Sequence, residues 1–191
     1  MRTAQITRNT KETNISAQLS LEVGQVLVDT GIGFFDHMLT AFAFHAGFGL
    51  VLKAQGDLQV DAHHTVEDVG IVLGQAFAKC LADKTGIERF ASAFVPMDEA
   101  LAFCAVDIGG RAFLVYDAPT DSAALGQYDS CLSIEFFRAF ATNAQITLHI
   151  KSEYGSNLHH ITEAVFKSVG RALRCAAAVT GDKLLSTKGT I

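Results

Sequence analysis

His63-His64-Thr65-Val66-Glu67 returns in the second half of the chain as His159-His160-Ile161-Thr162-Glu163. These ten positions hold four of the seven histidines. On a helix, residues four apart share a face, so His63 can meet Glu67 and His159 can meet Glu163. The second histidine of each pair lies about 100° further round the axis, so the two imidazoles diverge. Divergent imidazoles beside a carboxylate suit two metal ions better than one closed cage. That donor set fits manganese, iron, zinc or nickel. A single copy would read equally well as two surface histidines preceding a glutamate. Two copies make that coincidence the weaker account.

The repetition extends outward from the motif. Val69-Gly70-Ile71-Val72-Leu73-Gly74 follows the first copy and Val165-Phe166-Lys167-Ser168-Val169-Gly170 the second, both apolar and helix-like. Before each motif comes a helix-like run and then a strand-like run: Asp36 to Phe42 and Leu50 to Ala54, then Ile134 to Phe140 and Ile146 to Ile150. This alignment sets Glu135 in the place of His37. The pattern predicts an α/β protein made by internal duplication, each half a mixed sheet covered on one side by two helices. The repeats span about 1–90 and 91–191 of one compact domain. Ala17 to Glu22 with Gln25 to Asp29, and Ala100 to Ile108 with Ala112 to Asp117 around Gly109-Gly110, are expected to pair as hairpins. Thr85 to Pro96 is expected to connect the halves.

With 191 residues, 49% of them hydrophobic, the chain can build a sizeable core. Its formal charge of -5, without a basic run, argues against a nucleic-acid groove. Cys80, Cys104, Cys131 and Cys175 lack metal-ribbon spacing and sit in apolar stretches, so buried thiols are expected. No signal peptide or membrane-length apolar run is evident, which points to a cytoplasmic protein with no membrane partner. The high hydropathy suggests extra apolar surface buried between subunits.

Phe35-Asp36-His37-Met38-Leu39, Asp61-Ala62-His63-His64-Thr65-Val66-Glu67-Asp68 and Asn157-Leu158-His159-His160-Ile161-Thr162-Glu163-Ala164-Val165-Phe166-Lys167 occur in this order. In these stretches the chain closely resembles the imidazoleglycerol-phosphate dehydratases of histidine biosynthesis. The resemblance runs from Arg8 to Gly189. It implies a duplicated βαββ-type unit like the second domain of ribosomal protein S5. It also implies a 24-subunit octahedral homo-oligomer with active sites between subunits. The implied reaction removes water from imidazoleglycerol phosphate to give imidazole-acetol phosphate. The abstracted proton has no adjacent carbonyl, so the substrate imidazole must serve as the electron sink.

The same resemblance implies two Mn2+ ions held by His37, His63, His64, Glu67, His159, His160 and Glu163. Glu135 stands where many relatives carry a further ligand histidine, and its alignment with His37 suggests the same role. Arg89, Arg111, Lys167, Ser186, Thr187 and Lys188 match substrate-contacting positions, with His37, His45 and His159 also facing substrate. Arginine offers a planar pair of donors to phosphate, lysine a compact charge. Glu12 is the candidate proton carrier, with His64 and Glu163 completing the catalytic set. Asp98 and His149 are read as structural. A binuclear metallohydrolase, or a metal-storage particle, would use the same His/Glu donors. The phosphate-contacting residues and Glu12 favour the dehydratase.

Overall fold

The computed structural model describes residues 2–189. Each half repeats one order of elements. The first contains β1 (Thr3–Asn9), β2 (Thr13–Ser20), β3 (Val26–Asp29), α1 (Gly33–Ala46), β4 (Gly49–Gly56) and α2 (His63–Leu81). The second contains β5 (Phe90–Met97), β6 (Ala100–Asp107), β7 (Phe113–Asp117), β8 (Ala124–Leu125), β9 (Tyr128–Asp129), α3 (Leu132–Ala144), β10 (Thr147–Tyr154) and α4 (Leu158–Ala176). The main sheets have strand orders β1-β2-β4-β3 and β5-β6-β10-β7.

Neither expected hairpin between neighbouring strands forms. β4 lies between β2 and β3, antiparallel to the former and parallel to the latter. β10 separates β6 from β7 in the same way. The reason is the crossover helix. Leaving β3, α1 covers the sheet and returns the chain parallel to β3, so β4 takes that edge and β2 must pair with its other side. The expected connection is also shorter than the sequence suggests. Phe90–Met97 is an edge strand, paired with β6 from Phe90↔Asp107 to Met97↔Ala100.

Alternation along β2 and β6 places every second residue in the core: Thr13, Ile15, Ala17 and Leu19 in one, Ala100, Ala102, Cys104 and Val106 in the other. The helices fill the space between the two sheets. α2 packs on β1, β2 and α3, while α1 packs on β3 and α4, so the halves share one hydrophobic core. Phe136 is its centre, ringed by Phe35, Phe137, Phe140 and Phe166 at centroid distances of 5.5, 5.0, 6.2 and 5.4 Å.

Glycines set how closely the helices approach. A Cβ at Gly74 in α2 would lie 2.6 Å from the Phe140 carbonyl oxygen and 2.8 Å from Asn143 Cβ. One at Gly170 in α4 would lie 2.5 Å from the Phe42 carbonyl oxygen. Backbone cannot yield as a flexible side chain can. Gly74→Val is expected to destabilise the fold by at least ~1–3 kcal/mol through overpacking, measurable by denaturant unfolding.

The repeats differ most before α3. Residues 30–32 join β3 to α1, but residues 118–131, carrying the small β8–β9 hairpin, join β7 to α3. This longer segment inserts Tyr128 against Phe35, with stacked rings 5.6 Å apart, and bonds its hydroxyl to Ser133 at 2.9 Å. The thiols also divide. Cys80 and Cys104 are buried as expected, but Cys131 is only partly buried and Cys175 is exposed on the last turn of α4. No helix among the described residues is long and apolar enough to cross a membrane.

Candidate active site

The first cluster joins the two halves. Because α1 packs on α4, His37 from the first turns of α1 reaches the motif of the second repeat. Its Nε2 is 3.1 Å from Glu163 Oε2, and His159 Nε2 is 3.2 Å from the same oxygen. One donor atom from each of the three residues lies within 4.8 Å of the others. Glu163 is 6% exposed, whereas the two imidazoles open toward solvent. Lys167, one turn along α4, donates to the second carboxylate oxygen at 2.6 Å. Burial pushes the Glu163 carboxyl up, but the hydrogen bonds from Lys167 and His37 outweigh it and hold the group below its usual range. Lys167, matched by sequence to a substrate contact, is engaged here by Glu163. On α1, burial lowers the His45 pKa, and the Lys167 and Arg171 charges add to that fall.

The second histidine of each motif meets a carboxylate from outside its own helix. His64 Nδ1 lies 3.0 and 3.2 Å from the Asp57 oxygens and 3.9 Å from Glu12 Oε2. His160 Nδ1 lies 2.7 Å from Glu99 Oε2. The hydrogen bond to Asp57 raises the His64 pKa, and that to Glu99 raises the His160 pKa. Reciprocally, the His160 bond, followed by the Asn157 N–H, holds the Glu99 carboxyl down at about 2. Asn157 starts α4, its side chain accepting from the N–H groups of His159 and His160. This N-cap fixes where the histidine pair begins.

In the first repeat, His63 Nε2 stands 3.8 Å from Glu67 Oε2. A cavity of about 460 Å³ beside His63 is also lined by Asp61, Cys131 and Leu132. Glu135 lies one turn beyond Leu132 on α3, where it pairs with Arg138. α3, which carries Glu135, packs on the first motif helix as α1, which carries His37, packs on the second.

The predicted phosphate contacts gather elsewhere. Asp107 Oδ1 accepts from Arg89 Nε at 2.8 Å, and its Oδ2 lies 3.5 Å from Arg111 Nη2. Arg89 Nη1 donates to the Leu185 carbonyl at 2.5 Å, tying the start of the C-terminal tail to this pair of arginines. Ser186, Thr187 and Lys188 follow at once, with the Lys188 N–H donating to Ser186 Oγ at 3.2 Å. Arg89 and Asp107 mark one end of the β5–β6 ladder, and Glu99 with His160 marks the other. Eight residues of strand separate these ends, roughly 26 Å at ~3.3 Å per residue.

A model of the family described as imidazoleglycerol-phosphate dehydratase matches residues 30–173. The chain belongs to this family. It is 54% identical over 194 residues to the imidazoleglycerol-phosphate dehydratase of Lacticaseibacillus casei strain BL23, covering 100% of both chains. The dehydratase of an Exiguobacterium species is 53% identical, with 100% of this chain and 99% of that one covered. The crystal structure of the dehydratase from Staphylococcus aureus subsp. aureus N315 superposes with a TM-score of 0.83 at 40% identity, covering 94% of this chain and 99% of that one. The Pyrococcus furiosus enzyme in complex with (S)-C348 gives 0.81 at 37% identity, covering 97% and 100%.

Three residues around the dehydratase motifs were missed by sequence reasoning: Asp57, Glu99 and Asp107. Each is an acidic residue adjoining or ending a strand, a setting in which solvation is the ordinary expectation. Glu99 alone carried a signal, since it precedes β6 as Glu12 precedes β2.

Proposed function

We infer that this chain is a dehydratase acting on imidazoleglycerol phosphate to give imidazole-acetol phosphate, a carbon–oxygen hydro-lyase of histidine biosynthesis, working in the cytoplasm. Its carrying observation is the convergence of His37, His159 and Glu163 across the two repeats. Two imidazoles and a buried carboxylate within one ligand-sized space suit a divalent first-row metal. The proposed metal is Mn2+, two ions per site. His37, His159 and Glu163 would hold one ion, and His63, Glu67 and Glu135 another, with His64 and His160 turned outward to complete them. Bound there, the metal would supply Lewis acidity and a template for the substrate imidazole.

The remaining work falls to the chain's own groups. Lys167 keeps Glu163 ionised and oriented. Glu12, exposed beside His64, carries the proton. Arg89, Arg111 and the 186–188 hydroxyl and lysine groups take the phosphate, with Asp107 holding the two arginines in register. His45 borders the substrate near Lys167. A small phosphate ester cannot span the roughly 26 Å between the arginine end and the histidine end of the β5–β6 ladder. A second copy of the chain must therefore supply one of them, which supports active sites between subunits of a 24-subunit octahedral particle. Exposed Phe90, Phe94 and Phe113 on the outer sheet face give such packing an apolar surface.

Metal-stripped protein incubated with imidazoleglycerol phosphate should form the ketone only after manganese is added, without releasing phosphate. Phosphate release would support a hydrolase instead, and metal uptake without turnover a storage role. Glu135→Gln is expected to lower manganese stoichiometry or affinity in calorimetric titration. Unchanged binding would remove Glu135 from the ligand set.

A further inference from the structure

β2 and β6 hold the same place in their sheets, second from the edge, with the same inward alternation. Glu12 immediately precedes β2 and Glu99 immediately precedes β6, so the duplication makes these two carboxylates counterparts. Both face Nδ1 of the second histidine of the motif in their own repeat. They do so at different range. Glu99 Oε2 is bonded to His160 Nδ1 at 2.7 Å, while Glu12 Oε2 stands 3.9 Å from His64 Nδ1 and is about half exposed. The other Glu99 oxygen accepts from the N–H groups of Ser156 and Asn157 at 3.1 and 2.7 Å, so this side chain is occupied at both ends.

The difference traces to the residue that follows the central strand. Asp57 follows β4 and takes His64 Nδ1 at 3.0 Å. Gly155 follows β10, and a Cβ there would lie 2.7 Å from Ile161 Cγ1 and 2.8 Å from Ala100 Cβ. No carboxylate fits at the second position, and Glu99 does the bonding instead. An imidazole whose Nδ1–H is held by a carboxylate presents its Nε2 lone pair outward in a fixed direction.

We propose that Asp57 and Glu99 are positioning residues that aim His64 and His160 at metal, and that Asp57 thereby frees Glu12 for substrate. This division of labour rests on the dehydratase reading, with Glu12 as proton carrier. One duplicated carboxylate kept the orienting task, while its twin gave that task to Asp57 and moved to the reacting atoms.

Titrating metal-stripped, full-length protein with manganese by calorimetry tests the division. Glu99→Gln and Asp57→Asn should each weaken binding by about 10- to 100-fold, the usual effect of losing a carboxylate behind a ligand histidine. Glu12→Gln should bind within about twofold of wild type. Turnover of the first two variants should recover as manganese is raised, which a merely structural defect would not do, while that of Glu12→Gln should not recover at any concentration. Wild-type affinity in both Glu99→Gln and Asp57→Asn, or a turnover loss that excess manganese leaves untouched, would overturn the proposal. Because Glu99 also ties down the start of α4, Asp57→Asn decides the matter if Glu99→Gln fails to fold. A wild-type chain that takes up no manganese would overturn the dehydratase reading itself and, with it, this one.

Discussion

Glu163→Gln is expected to reduce manganese affinity by more than ~100-fold, beyond the ~10- to 100-fold typical of a residue that only supports a ligand. Glu163 is the buried member of its cluster, and its oxygens face His37, His159 and Lys167 at 3.1, 3.2 and 2.6 Å. An amide of the same size keeps the packing but removes the negative charge that a divalent ion requires. It also leaves the Lys167 ammonium, itself largely buried, without its partner. Metal binding and thermal stability of the apo-protein should therefore fall together. Calorimetric titration and a melting curve read the two effects separately. Full retention of manganese affinity in a folded Glu163→Gln protein would place the metal somewhere other than the α1–α4 junction.

The second large effect separates chemistry from binding. Glu12→Gln should lower turnover by about 10²- to 10⁴-fold, the range expected when a general acid–base group is lost. Glu12 is exposed beside His64 and outside the core, so stability should hardly change. A steady-state assay at saturating manganese and substrate checks this directly. If turnover stays within a few-fold of wild type, the proton is carried by another group.

Much of the molecule was legible because duplication shows every feature twice. The repeated motif gave both long helices, and the apolar runs after it gave their buried faces, including Gly74 and Gly170 at the tight helix crossings. Strand pairing was not legible. Neighbouring strands such as β2 and β3 look like hairpin arms, and only the crossover through α1 decides that β4 comes between them. The same limit applies to β5, whose edge pairing turns an expected connection into a strand. Cys175 shows it for burial, since an apolar neighbourhood in sequence does not say which side of α4 faces water.

The local spacing of the sequence determined the donors: two imidazoles and a carboxylate on one helical turn, twice, with a matched residue on the preceding helix. Periodicity is a property of the backbone, so it can be read along the chain. Which donors share a site was decided by tertiary structure alone. α1 packs on α4 and α2 on α3, so His37 serves the second motif rather than the first, beside which it lies in sequence. That exchange arises because the apolar face of each helix pair is covered by the other repeat, and burial of that shared core sets the partners that spacing leaves open.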